Sequence, residues 1–126
     1  MNNKKDLYIE LLKQEFDLEL DFKNIDDLKK IDKLFKKVDI NNIVPKYNYS
    51  LVAIVGEFLK SNMKNANWKS LKVSDDTPIR YVIHGNKNLQ DPSSVLESII
   101  YNKSNFKKNI AFYKTVKSIL DYVNRL

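Results

Sequence analysis

Glu57 stands beside Gly56 in a segment whose Leu51, Ile54, Val55, Phe58, Leu59 and Met63 form a broad apolar face, and a carboxylate placed there needs a partner. The candidates are Arg80 and His84, four residues apart in a strand-like segment and so on one face of it, with Ile79, Tyr81 and Ile83 on the other. Such a cluster could bind an anion. It could also do general acid–base work, because His84 is the one side chain in the group whose unperturbed pKa lies near neutrality. It equally describes a salt bridge that fixes a helix to a sheet. No nucleophile with an activating neighbour accompanies the three residues, so the structural reading carries more weight than a catalytic one, and an enzyme using Glu57, Arg80 and His84 ranks third among the functional readings.

Trp68 opens the same strand-like region and has a similar double meaning: a core anchor whose N–H is satisfied at the rim, or an interface or base-stacking group. In the basic part of the chain, Tyr47, Tyr49, Tyr101, Phe106, Phe112, Tyr113 and Tyr122 lie among Lys46, Lys103, Lys107, Lys108, Lys114 and Lys117, a mixture of rings and cations that suits nucleic-acid binding. Many of these rings fall on core-facing helical positions, and Lys107, Lys114 and Lys117 share one helical face as an ordinary solvated surface would. Only Arg80 and Arg125 are arginines, so the preferred fork for phosphates and base edges is scarce.

The rarest residues exclude most familiar chemistry. Gly56 and Gly85 are the only 2 glycines, too few and too far apart for a P-loop or a dinucleotide-binding turn. With no Cys and 1 His there is no thiol nucleophile, Cys zinc site, iron–sulfur cluster, disulfide or multi-histidine metal centre. Asp17, Glu19 and Asp21 would project from one face of an extended segment, but Phe22 stands where a calcium loop needs Gly and Leu28 where it needs Glu. The expectation is therefore no metal and no cofactor.

The elements that must position these residues follow from the hydrophobic pattern. Leu7, Tyr8, Leu11, Leu12 and Phe16 predict a first helix over residues 3–17, and the strict alternation of residues 17–22 a short strand or extended link with Leu18, Leu20 and Phe22 turned inward. Asn24 caps a second helix with Asp26 and Asp27 in its first turn and Leu28, Ile31, Leu34, Phe35 and Val38 on one face. Pro45 opens a broad, central third helix reaching about Ala66, in which Gly56 marks a close packing contact or a ligand approach. Segments 68–73 and 79–84 form a hairpin, with residues 87–90 as a short third strand. Asp91-Pro92 starts a fourth helix buried through Val95, Leu96, Ile99 and Ile100, and Ser104 or Asn105 starts the last, with Phe106, Ile110, Tyr113, Val116, Leu120 and Val123 in register. The fold class is thus α+β: about five helices around a small antiparallel hairpin or three-stranded sheet. One domain accounts for residues 1–126, with no repeat or linker.

The order Glu19-Leu20-Asp21-Phe22, then Asp27 to Asp32, then Gly56-Glu57, a single Trp68 opening a strand, and Asp91-Pro92, resembles a set of small bacterial proteins of unassigned function. The likeness covers roughly residues 15–120 and resides in the order of its short motifs. Some of those proteins are encoded in accessory clusters near toxins or mobile elements, so the resemblance implies an immunity-like role and brings no active site.

Charge completes the reading. Residues 1–40 hold 9 Lys against 10 Asp/Glu, a net of −1, so of the formal +6 the remainder carries +7. No run approaches the ~18 apolar residues of a spanning helix, and the start lacks a signal-peptide apolar stretch, so a cytoplasmic location without a membrane partner is expected. These features point to a non-enzymatic protein-binding module, immunity- or antitoxin-like, whose basic C-terminal two-thirds covers another protein such as an acidic toxin or effector. The alternative is a nucleic-acid binder using the same basic region. Glu57, Trp68, Arg80, His84, Lys107, Lys114 and Lys117 are the candidate binding residues.

Overall fold

The computed structural model describes residues 4–72, 74–76 and 79–126. In chain order they form α1 (Lys4–Phe16), α2 (Leu28–Lys37), α3 (Asn48–Asn62), β1 (Asn67–Leu71), β2 (Arg80–His84), β3 (Leu89–Gln90), α4 (Pro92–Ile100), β4 (Tyr101–Asn102), β5 (Asn105–Phe106) and α5 (Phe112–Val123). Strands β1, β2 and β3 make an antiparallel sheet with β2 in the middle, and β4 pairs with β5 in a separate two-stranded hairpin. The chain is α+β, as its pattern of periods requires.

Every residue of α3 from Ser50 to Leu59 is buried, and a helix apolar on all sides must be covered on all sides. Helices α1, α4 and α5 and strand β2 pack around it. Leu18, Leu20 and Phe22 lie half-buried against this core from an extended link, not a strand. Before α2, Asn24 accepts a bond from Asp26 N and starts a single 3-10 turn, Ile25–Asp27, that leads into the helix. The residues expected as a loop at 39–42 hold another such turn, Ile40–Asn42, with the Asp39 carboxylate accepting from Asn41 N. Pro45 lies in the turns ahead of α3, which begins three residues later than expected, and Tyr47 N bonds Ile43 O across them. Val73, Thr77 and Pro78, where the hairpin's expected strand end and loop fall, lie outside the described residues.

Two expectations are corrected. The inward stripe of α1 is Lys5, Ile9, Leu12 and Phe16, whereas Leu7 and Leu11 face solvent. A stripe centred on Leu7, Tyr8 and Leu11 would leave Lys5 at the flank, away from the buried carboxylate it meets on α3. The last helix starts at Phe112, not at Ser104 or Asn105, because residues 101–106 turn back as β4–β5, with Lys103 at φ 61 and the Tyr101 and Phe106 rings stacked at 5.1 Å. Its start has no local side-chain cap. Asp32 of α2 supplies one from 80 residues away, accepting from Phe112 N at 2.6 Å and, through its other oxygen, from Tyr113 N at 3.1 Å.

Candidate functional site

Gly56 and Glu57 belong to one packed unit with Trp68 and Lys5. The Trp68 ring lies directly on the backbone of α3, so that a Cβ at Gly56 would overlap ring carbons Cη2 and Cζ2 and press on Pro92. The absence of a side chain there is what admits the ring. Trp68 Nε1 then donates to Glu57 Oε1 at 2.9 Å, and Lys5 Nζ donates to the same oxygen at 2.5 Å. Burial alone would raise the Glu57 pKa; the bonds from Lys5 and Trp68 and the nearby Lys5 and Lys60 charges outweigh it and hold the carboxyl below its ordinary value of 4.5. Glu57 is therefore a charged, doubly bonded tie between α1, α3 and β1. A carboxylate held ionised in this way is a poor proton donor at neutral pH.

Arg80 and His84 do not join it, which corrects the pairing expected from sequence. Trp68 is the direct neighbour of Ile83 in the sheet, so strand alternation sends Arg80 and His84 to the face turned away from Glu57. Arg80 instead bonds the Asp91 carboxylate, whose other oxygen caps α4 through Ser93 N. His84 is exposed at the far end of β2. Three residues that could act together in chemistry are thus three separate features. Among the described residues, no group of three or more His, Asp or Glu side chains is arranged to hold a metal ion.

The predicted lysines also divide. Lys107 donates to Ser98 O at 2.6 Å and Lys117 makes an exposed pair with Asp121 at 3.2 Å, which contributes little; neither lines the hollow that Lys114 does. Lys114 lies elsewhere: with Lys108 from the chain before α5, and Lys29 and Lys36 from α2, it surrounds a hollow of about 410 Å³. Sequence reasoning missed Lys29 and Lys36 as site residues, and named Lys108 only within the mixture of rings and cations. Lys29, Asp32 and Lys36 follow helical spacing and so share a face of α2, but nothing in residues 28–37 says that α5 begins against that face.

The hollow has an aromatic floor and a cationic rim. Phe35 packs against Phe112 with ring centroids 5.2 Å apart, and Lys29 Nζ sits 4.5 Å above the Tyr113 ring. Asp32, the acidic residue lining it, has both oxygens engaged by the first two N–H groups of α5. Lys29 has an acidic neighbour, Asp26, at 3.5 Å, but both side chains are more than half exposed, where such a pair contributes little. Four cations against one committed carboxylate make this a strongly positive concave surface.

A second hollow, of about 520 Å³, opens between α1, α3, β2 and the start of α4. Lys4, Tyr8, Tyr49, Val52, Arg80 and Tyr81 are among the residues that line it. Tyr8 and Tyr49 stack at 5.5 Å, and Tyr49 is nonetheless 61% exposed.

No family model, curated protein or solved structure matches the chain. Among the described residues no helix is long and apolar enough to cross a membrane.

Proposed function

We propose that this chain is a non-enzymatic protein-binding module, an immunity- or antitoxin-like protein that works in the cytoplasm and neutralises an acidic partner by covering its surface. One observation carries the reading: Lys29, Lys36, Lys108 and Lys114 converge from two helices on the Phe35–Tyr113 hollow, with Asp32 turned inward to cap α5. Carboxylates on a partner would meet cations without strong internal counter-ions, and the rings supply the apolar centre of a protein interface. The sequestration of Glu57 and the separation of Arg80 from His84 add weight, since they remove the most plausible catalytic grouping.

A nucleic-acid reading rests on the same lysines and is weaker, because the face holds no arginine to fork onto phosphates or bases. Both are tested by one pair of experiments on the wild type and on Lys29→Glu with Lys114→Glu. In co-expression with the neighbouring gene product, an acidic protein should be retained by the wild type and bound about tenfold or more weaker by the variant. Retention unchanged by the two reversals sinks the proposed face. Tight, steeply salt-dependent binding of single-stranded oligonucleotides, lost in the same variant, would replace the protein reading with the nucleic-acid one.

A further inference from the structure

The hollow between α1, α3, β2 and α4 shares no residue with the lysine face and has a different chemistry. We propose that it is a small-ligand site for a planar ring carrying a phosphate, of the size and class of a nucleoside monophosphate. Its volume of about 520 Å³ falls within the range of small-molecule clefts.

One wall is aromatic. Tyr49 stacks on Tyr8 and stays 61% exposed, so much of its ring is open to solvent, and Val52 and Tyr81 line the same hollow. A planar ring laid on Tyr49 extends the existing stack, a contact that costs no rearrangement. Cations line the same hollow. Arg80 uses one Nη2 bond for Asp91 and its side chain is 57% exposed, so further N–H donors of the guanidinium remain available; Lys4 adds a second cation. A fork and a point charge facing one hollow match a phosphate with several acceptor oxygens. Asp91, which already accepts from Arg80 and from Ser93 N, also lines the hollow, and its carboxylate can accept from sugar hydroxyls. Ring, hydroxyls and phosphate therefore each have a side chain of matching chemistry in the lining.

Calorimetric titration of the full chain with uridine and adenosine 5′-monophosphates tests this, with uridine, inorganic phosphate and phenylacetate as separate arms. At least one nucleotide should bind saturably, with a Kd of about 1 mM or below. Uridine and phosphate alone should each bind about tenfold or more weakly, since each keeps only half of the contacts. Tyr49→Ala and Lys4→Gln change exposed side chains, so both should melt like the wild type, and together they should abolish saturation. Absence of saturable nucleotide binding overturns the proposal, as does binding that survives the double variant. Inorganic phosphate binding as tightly as the nucleotides removes the ring from the site, and phenylacetate binding as tightly removes the phosphate; either outcome also overturns it.

Discussion

Two carboxylates join distant parts of this chain, and the regions around them behave in opposite ways. Glu57 draws in Lys5 from α1 and Trp68 from β1, and the cation, the ring N–H and the acid satisfy one another. Asp32 draws in the backbone of α5 and satisfies two N–H groups, but leaves four lysines around it with little to answer them. The first region is closed and the second is open. A buried charged group in an apolar helix is thus no sign of a site by itself; what matters is whether any charge is left over once the internal partners are assigned. That comparison can be broken from either side.

The closed region gives the largest expected effect. Gly56→Ala would gain about 1 kcal/mol of helix propensity, yet the new methyl must displace the Trp68 ring and disturb the bond from its Nε1 to Glu57. Overpacking of this kind costs about 1–3 kcal/mol, and a disturbed buried hydrogen bond adds about 1 kcal/mol more, so the net result is destabilisation of about 2 kcal/mol. Urea unfolding followed by Trp68 fluorescence measures it. A stability equal to or above the wild type would mean that the ring can move at little cost and that the frame is looser than its packing indicates.

Acid tests the same region through charge. Because the folded carboxyl titrates below its ordinary value of 4.5, it binds protons less readily when folded than when unfolded. Its contribution is therefore fully present above that ordinary value and is lost as the pH falls through the folded value. Glu57→Gln should lower stability at pH 7 by about 1–2 kcal/mol, the loss of a charge-assisted bond, and should flatten the acid limb of the stability profile. A variant whose acid limb superimposes on that of the wild type would show that other carboxylates carry the acid sensitivity.

The elements were largely legible in the sequence because their signals are local. Asp91-Pro92 started α4 where expected and Val95, Leu96, Ile99 and Ile100 are buried, since cap, proline and periodicity agree within one segment. The strands at Trp68 and Arg80, and the central burial of α3, were legible for the same reason. Apart from the bounds of α3, the misses depended on a partner distant in the chain. The face of α1 was misread because Lys5, in register with Ile9, Leu12 and Phe16, looks polar until Glu57 is placed opposite it. The start of α5 was misread because its cap is Asp32. Glu57 was rightly singled out as a carboxylate needing a cation, and its partner was wrong because no pattern in residues 79–84 reveals which face of β2 meets α3. The lysine face went unread for a related reason: half of it comes from a helix within residues 1–40, a region whose net charge of −1 hides the basic face of that helix.

Asp32 yields the smallest effect on stability and the sharpest test of the open region. Asp32→Asn keeps an acceptor for one N–H of α5 but loses the negative charge and the second charged oxygen, which should cost about 1 kcal/mol, within the usual range for a helix cap. The same change removes the acidic residue that lines the lysine hollow and so makes that face more positive. Stability and binding should then move in opposite directions: a slightly lower melting temperature, and an acidic partner held more tightly, with the gain fading as salt is raised. If the face were only a solvated surface, the loss of stability would appear alone. If Asp32 instead contacted the partner directly, both quantities would fall together. The direction of the binding change, read against the melting temperature of the same variant, therefore separates a carboxylate that only holds α5 in place from one that takes part in the interface.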